Sequence, residues 1–141
     1  MSITFFSEEI PFTLRDKTKI RNWIENSILN EKCQLGDLNF IFTSDEYLLK
    51  INKEYLSHDY YTDIITFNYC QGDLISGDIF ISIDTVKNNS ERFNVTFIDE
   101  LHRVIIHGVL HLVGYDDKNE DQQKVMTQKE NEYLERFKNL L

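Results

Sequence analysis

Between Thr96 and Leu112 the chain carries Leu101, Val104, Ile105, Ile106, Val109, Leu110 and Leu112, which cover most of the circumference of a helix. A helix that is apolar nearly all round is buried, so the remaining elements must be built over it. Thr96 with Asp99 three residues on forms a capping pattern that opens it. Gly114, just past its end, can take the left-handed conformation that stops it. Into this apolar cylinder are set His107 and His111. Residues four apart lie about 40° apart around a helix and one turn apart along it, so both imidazoles can reach one metal ion. Buried polar rings need partners, and one metal supplies both. Beyond Gly114 the chain can fold back and present Asp117, or Asp116, to the same ion. Two imidazoles, one carboxylate and an open position make a catalytic zinc site rather than a structural one. Nickel or cobalt would fit the same donors. A single histidine on an apolar helix is more often a core residue with a satisfied hydrogen bond; the pair together with Gly114 and Asp117 points to metal.

Position 108 narrows the chemistry. In the H-E-x-x-H metalloprotease motif the residue after the first histidine is the general base. Gly108 has no side chain, so a peptidase would lack its base. His102 points to another side of the helix and reads as structural or exposed. His58, in the loop before the second long strand, could face the site but reads first as a surface-loop histidine.

Elsewhere the pattern alternates between strand and helix. Ile3 to Phe6 reads as a strand. Thr13 with Asp16 resembles a capping box, followed by a helix with Ile20, Trp23, Ile24 and Ile28 on one face. Its other face carries Arg15, Lys17, Lys19 and Arg21, a solvated face or a phosphate-contacting patch. Leu38, Phe40 and Phe42 alternate as a strand. Ser44 caps a helix with Leu48, Ile51 and Tyr55 inward. Ser57 to Tyr61 reads as a loop, Ile64 to Tyr69 and Gly77 to Ser82 as strands, and Gln71-Gly72-Asp73 as a turn. A helix is expected over 84–92. Asn119 with Gln122 opens a last helix with Val125, Met126, Tyr133, Phe137 and Leu141 inward. The order β-α-β-α-β-β-α-α-α implies an α+β domain, a small sheet packed around the helix that holds both histidines.

The chain of 141 residues, with one proline and five glycines, leaves no room for a flexible linker and reads as one domain, 1–141. Its apolar runs are too short to span a bilayer, and its acidic N-terminal stretch lacks the features of a secretory signal. Cys33 and Cys70 read as free thiols of a reducing cytoplasm. The net charge of −9 argues weakly against a nucleic-acid substrate, because nonspecific binding runs on cation–phosphate contacts.

The run His107-Gly108-Val109-Leu110-His111-Leu112-Val113-Gly114-Tyr115-Asp116-Asp117 resembles the YbeY family of endoribonucleases, whose signature is H-G-x-L-H-L-x-G-Y-D-H. Upstream, Asn52 to Phe67, with Tyr55 and then Thr62-Asp63-Ile64-Ile65-Thr66-Phe67, is similar to the family's N-x-x-Y-R…T-D-V-L-S-F segment. Gly77-Asp78-Ile79-Phe80-Ile81-Ser82 is similar to its G-D-I-x-I-S strand. The resemblance implies a metzincin-like α+β fold, a small mixed sheet packed around a central buried helix that carries the metal-binding histidines. It implies one zinc ion on His107, His111 and Asp117, with His107 and His111 catalytic. It also implies a cytoplasmic, single-strand-specific endoribonuclease that matures small-subunit rRNA and acts in ribosome quality control. The expected partners are single-stranded RNA and the small ribosomal subunit or its assembly factors. The alternatives are a non-catalytic assembly factor with a metal-stabilised fold and a hydrolase of another bond, such as a peptidase. Tyr60 and Tyr61 are available to stack on bases, although tyrosines in such places more often pack.

Two positions depart from the family pattern. Leu56 stands where the family has the arginine after its tyrosine, and leucine makes no bidentate contact to phosphate. Either a cation from the Arg15–Arg21 cluster takes that role or cleavage is weaker. Asp117 stands where the family has its third histidine. Three neutral imidazoles leave a divalent ion its full charge, whereas one aspartate lowers the net charge of the site by one. Water activation should therefore need a higher pH. The expected pH–rate profile rises at higher pH than in three-histidine relatives, and a rise at the same or lower pH would refute this.

Overall fold

Leu38, Phe40 and Phe42 are all buried in one strand, and the inward side of that strand sets the plan of the molecule. The computed structural model describes residues 1–58 and 61–140. The elements run β1 (Ser2–Glu8), α1 (Lys17–Asn30), β2 (Gln34–Thr43), α2 (Asp45–Leu56), β3 (Ile64–Asn68), β4 (Leu74–Ser82), α3 (Ile83–Arg92), α4 (Phe97–Val113) and α5 (Glu120–Lys138). This is the order expected from the sequence. The four strands form one mixed sheet in the order β1-β2-β4-β3. The pairs β1–β2 and β2–β4 are parallel, and β3 runs antiparallel to β4 as the edge. The fold is thus α+β with a small mixed sheet and five helices.

One face of the sheet meets α1, α3 and α4, with α5 packed on α1 and α4 to complete the main core, and the other face carries α2 over Ile65, Phe67 and Phe80. Helix α4 buries Leu101, Val104, Ile105, Ile106, Val109, Leu110 and Leu112. It lies close to the sheet because two glycines face each other's elements. A Cβ at Gly108 would come within 2.8 Å of Ile64 Cδ1 and 3.0 Å of Ile79 Cγ2. A Cβ at Gly77 on β4 would sit 3.2 Å from Leu112 and 2.4 Å from the Phe67 carbonyl oxygen. Helix α1 buries Ile20, Trp23, Ile24 and Ile28 as the spacing predicts, and Trp23 Nε1 donates to the Tyr133 carbonyl at 2.7 Å, tying α1 to α5.

The local signals hold in most places. Ser44, Thr96 and Asn119 cap α2, α4 and α5 by accepting the backbone N–H three residues on. The Thr13–Asp16 capping box does not form. Helix α1 starts at Lys17 behind Asp16, which sits at φ 59° with no side-chain cap. Tyr55 is 67% exposed rather than inward, its ring standing edge-on to Phe67 where α2 runs past the sheet. Val125 is also exposed; the buried stripe of α5 is Met126, Glu130, Tyr133 and Phe137, and residue 125 lies about 100° round from it. Leu141 lies outside the described residues. No described helix is long and apolar enough to cross a membrane.

His102 is buried, with its ring edge-on to Trp23 and Phe137 at centroid distances of 6.0 and 4.4 Å. Burial pushes its pKa below the ordinary imidazole value, against smaller opposing effects of Asp99 and Asp16. Below about pH 6.5 the unfolded chain takes up a proton here that the folded chain resists, so stability falls as pH falls through that value. We expect His102→Leu to lose less stability than the parent between pH 7 and pH 5, measured by urea denaturation at each pH on the metal-free protein. An equal loss would show that His102 does not contribute to acid sensitivity.

Candidate metal centre

The rotation of α4 places the site. Gly108 is pressed on Ile64 and Ile79, so its neighbour His107 emerges at the rim of the helix, with His111 one turn on. Both rings are half-buried, and their Nε2 atoms lie 2.9 Å apart. The helix then ends at Gly114, whose φ of 127° lets Gly114 N and Tyr115 N donate back to the Leu110 carbonyl. The following turn carries Asp117 inward, with Oδ2 at 3.3 Å from both Nε2 atoms. Asp116 is exposed and does not join the group. Of the two aspartates offered by the sequence, Asp117 joins the histidines.

Donor chemistry and spacing both fit a divalent ion. One ligand atom from each of His107, His111 and Asp117 lies within 4.8 Å of the others, and this is the group of its kind among the described residues. Zinc arms of about 2.0–2.1 Å in tetrahedral array put ligand atoms about 3.3 Å apart. The two carboxylate–imidazole separations of 3.3 Å equal that spacing, and the imidazole pair at 2.9 Å is tighter.

Carboxylates surround the group. His107 Nδ1 meets Glu130 Oε2 at 2.6 Å, and Glu130 Oε1 accepts from Arg103 Nη1 at 2.8 Å. Burial would lower the His107 pKa, but Glu130, then Asp117 and Asp63, outweigh it and hold the pKa up. Burial raises the carboxyl pKa of Asp63, which feels the charges of His107, Glu130 and Asp117, and likewise that of Glu100. A second carboxylate anchors the turn that carries Asp117. Glu31, at the end of α1, accepts from Tyr115 Oη at 2.6 Å, from Lys129 Nζ at 3.2 Å and from Tyr133 Oη. Burial would raise the Glu31 pKa, but these three donors outweigh it and bring it below the ordinary carboxylate value. Burial, together with the same contact, pushes the Tyr133 phenol up to about 12.

The other sequence candidates are not among the three grouped ligands. His58 is exposed in the loop after α2. Leu56 ends α2 and is 39% exposed. Tyr60 lies outside the described residues, and Tyr61 is exposed just before β3. In the basic cluster, Arg21 donates to the Ile3 carbonyl and stacks on Phe5 at the β1 edge, and Lys19 lies over Phe137. That edge is opposite β3, so Arg21 does not replace an arginine at Leu56. A groove of about 540 Å³ lined by Tyr47, Tyr55, Phe67, Tyr69 and Phe80 lies on the α2 face, across the sheet from the histidines.

Glu130, Arg103, Asp63 and Glu31 were not singled out from sequence. Glu130 left a signal: it interrupts the apolar stripe of α5 between Met126 and Tyr133, where an unpaired charge is costly. Glu31 left none, since its partners lie 84 and 102 residues away in the chain.

The chain matches known proteins over nearly its whole length. A family model described as Endoribonuclease YbeY matches residues 2–138. An Endoribonuclease YbeY of Bacteroides thetaiotaomicron is 48% identical over 134 residues, covering 95% of this chain and 98% of the relative. That of Christiangramia forsetii is 50% identical over 135 residues, covering 96% and 94%. In structure, the chain is similar to TM1509 from Thermotoga maritima, with a TM-score of 0.69 and 28% identity over 96% of this chain and 89% of the other.

The Tyr115–Glu31 contact predicts a measurable tether. Tyr115→Phe removes one hydrogen bond to a charged acceptor and should cost about 1.5–3 kcal/mol of stability in urea denaturation. It should also weaken zinc binding measured by chelator competition, because the turn that carries Asp117 is released. Unchanged zinc affinity would show that Asp117 is held by other contacts.

Proposed function

We propose that this chain, which belongs to the endoribonuclease YbeY family, cleaves single-stranded RNA with one zinc ion held by His107, His111 and Asp117. The observation that carries the reading is the convergence of those three side chains at tetrahedral spacing, within a chain that matches the family from end to end. We also propose that residues 1–141 form a single domain of metzincin-like arrangement, with α4 as its central helix. Its role would be maturation of small-subunit rRNA and ribosome quality control in the cytoplasm, in contact with the small subunit or its assembly factors.

When bound, the ion would polarise a phosphodiester oxygen and activate water. The chain's own residues supply the rest. His107 and His111 present neutral nitrogen donors, and Asp117 adds one negative charge and leaves a position open. Asp63 places a carboxyl within electrostatic reach of His107, at the border of the site. Tyr61, exposed before β3, offers a ring for base stacking. Nothing at Leu56 grips phosphate, and Arg103 and Lys129 are already engaged by Glu130 and Glu31. Cleavage should therefore depend on the metal more than on cationic side chains.

The rival readings are not favoured. The base of the H-E-x-x-H peptidase motif is missing, because position 108 faces Ile64 and Ile79 with no room for a side chain. A non-catalytic assembly factor draws on Leu56 and the net charge of −9 alone.

The test pairs metal analysis with cleavage of a defined single-stranded RNA, on the parent, His111→Ala and Asp117→Ala. His111→Ala is expected to lose metal and cleavage together. Cleavage retained by metal-free protein would refute the mechanism. Ribosome binding that survives His111→Ala, with no cleavage by rigorously purified parent protein, would establish the assembly-factor reading instead.

A further inference from the structure

Glu130 sits in the buried stripe of α5 at 7% exposure. A carboxylate so buried is costly unless its oxygens are taken up. Both are. Oε1 accepts from Arg103 Nη1 at 2.8 Å, and Oε2 lies 2.6 Å from His107 Nδ1. Arg103 and His107 stand four apart on α4, so one carboxylate from α5 spans both. The guanidinium is itself held, since Arg103 Nη2 donates to Asn131 Oδ1 at 2.8 Å on the next residue of α5. Among the described residues His111 has hydrogen-bond or ion-pair contacts only with His107 and Asp117, so the outer support of the group falls on one ring.

We infer that Glu130, gripped by Arg103, is the positioning residue for His107. A carboxylate accepts, so the ring must donate from Nδ1, and that leaves Nε2 as the nitrogen with a free lone pair facing His111 and Asp117. The contact also fixes the ring plane, because a flipped ring would present carbon to Glu130. Arg103 keeps Glu130 in the one orientation that serves both partners. Loss of such an outer partner weakens metal binding about 10–100-fold.

The inference rests on the metal reading proposed above, and the experiment separates the two. Zinc affinity is measured by competition with a chromophoric chelator on the parent, Glu130→Ala, Glu130→Gln and Met126→Ala. Proton NMR of the zinc-loaded proteins reads the slowly exchanging His107 Nδ1–H. Glu130→Ala should bind zinc about 10–100-fold more weakly and lose that resonance. Glu130→Gln should fall between, because its single acceptor oxygen can serve only one of two donors. Met126→Ala, also in the buried stripe of α5, should be less stable yet bind zinc as the parent does. Parental affinity in both Glu130 variants would overturn the inference, as would an equal loss in Met126→Ala. If Glu130→Ala does not fold, Glu130→Gln, which keeps the volume, decides alone. A parent protein that binds no zinc would overturn the metal reading, and this inference with it.

Discussion

The contact of α4 with the sheet at Gly108 governs the rest of the molecule. With Ile64 and Ile79 against the glycine Cα, the helix cannot turn about its axis without driving a side chain into β3 or β4. Each residue along a helix advances about 100°, so fixing position 108 on the sheet places 107 and 111 to one side of it. That side lies between the β3 edge and α5. The sheet thus sets the direction of the two imidazoles, and α5 reaches them from the far side with Glu130. The glycine that removes a protease base is the same one that lets the helix approach, so both observations have one cause.

The electrostatics of this corner suit a cation first and an anion only afterwards. Asp117, Glu130 and Asp63 all act on His107, and Glu100 feels the same group. The positive groups nearby, Arg103 and Lys129, are each committed to a carboxylate. A phosphodiester approaching such a site with no ion in place would meet net negative charge. A divalent ion reverses that, with its charge only partly offset by Asp117. The acidic composition and an RNA substrate are therefore compatible.

Much of this could be read from the sequence because it is local. The caps at Ser44, Thr96 and Asn119 each depend on residues three apart, and all three form. The His107–His111 pair depends on helix geometry alone. The failures have physical reasons. Thr13 and Asp16 have capping spacing, but Asp16 enters the helix in a left-handed conformation that turns its side chain from the task. Tyr55 and Val125 lie on or near apolar stripes, but period does not say how far the covering surface extends. The supports of the site were harder still. Glu130 and Glu31 act across α5 and α1, and no spacing rule links residues 107 and 130 or 31 and 115. A charged residue in an apolar stripe was the one visible trace.

That tertiary support explains how aspartate can stand at position 117. A carboxylate on a short side chain reaches less far than an imidazole, so the backbone must bring it closer. The turn after Gly114 does this by alternation: Tyr115 reaches Glu31, Asp116 is exposed, and Asp117 reaches the histidines. The tether at Tyr115 sets the depth of the turn two residues before the ligand. Glu31 is in turn fixed by Lys129 and Tyr133 on α5, the helix that also carries Glu130. One helix thus braces the site at both ends, holding His107 directly and Asp117 through Glu31 and Tyr115. Two of the three candidate ligands therefore depend on contacts made by polar side chains of α5, which is a different matter from the apolar stripe that packs the same helix on the core.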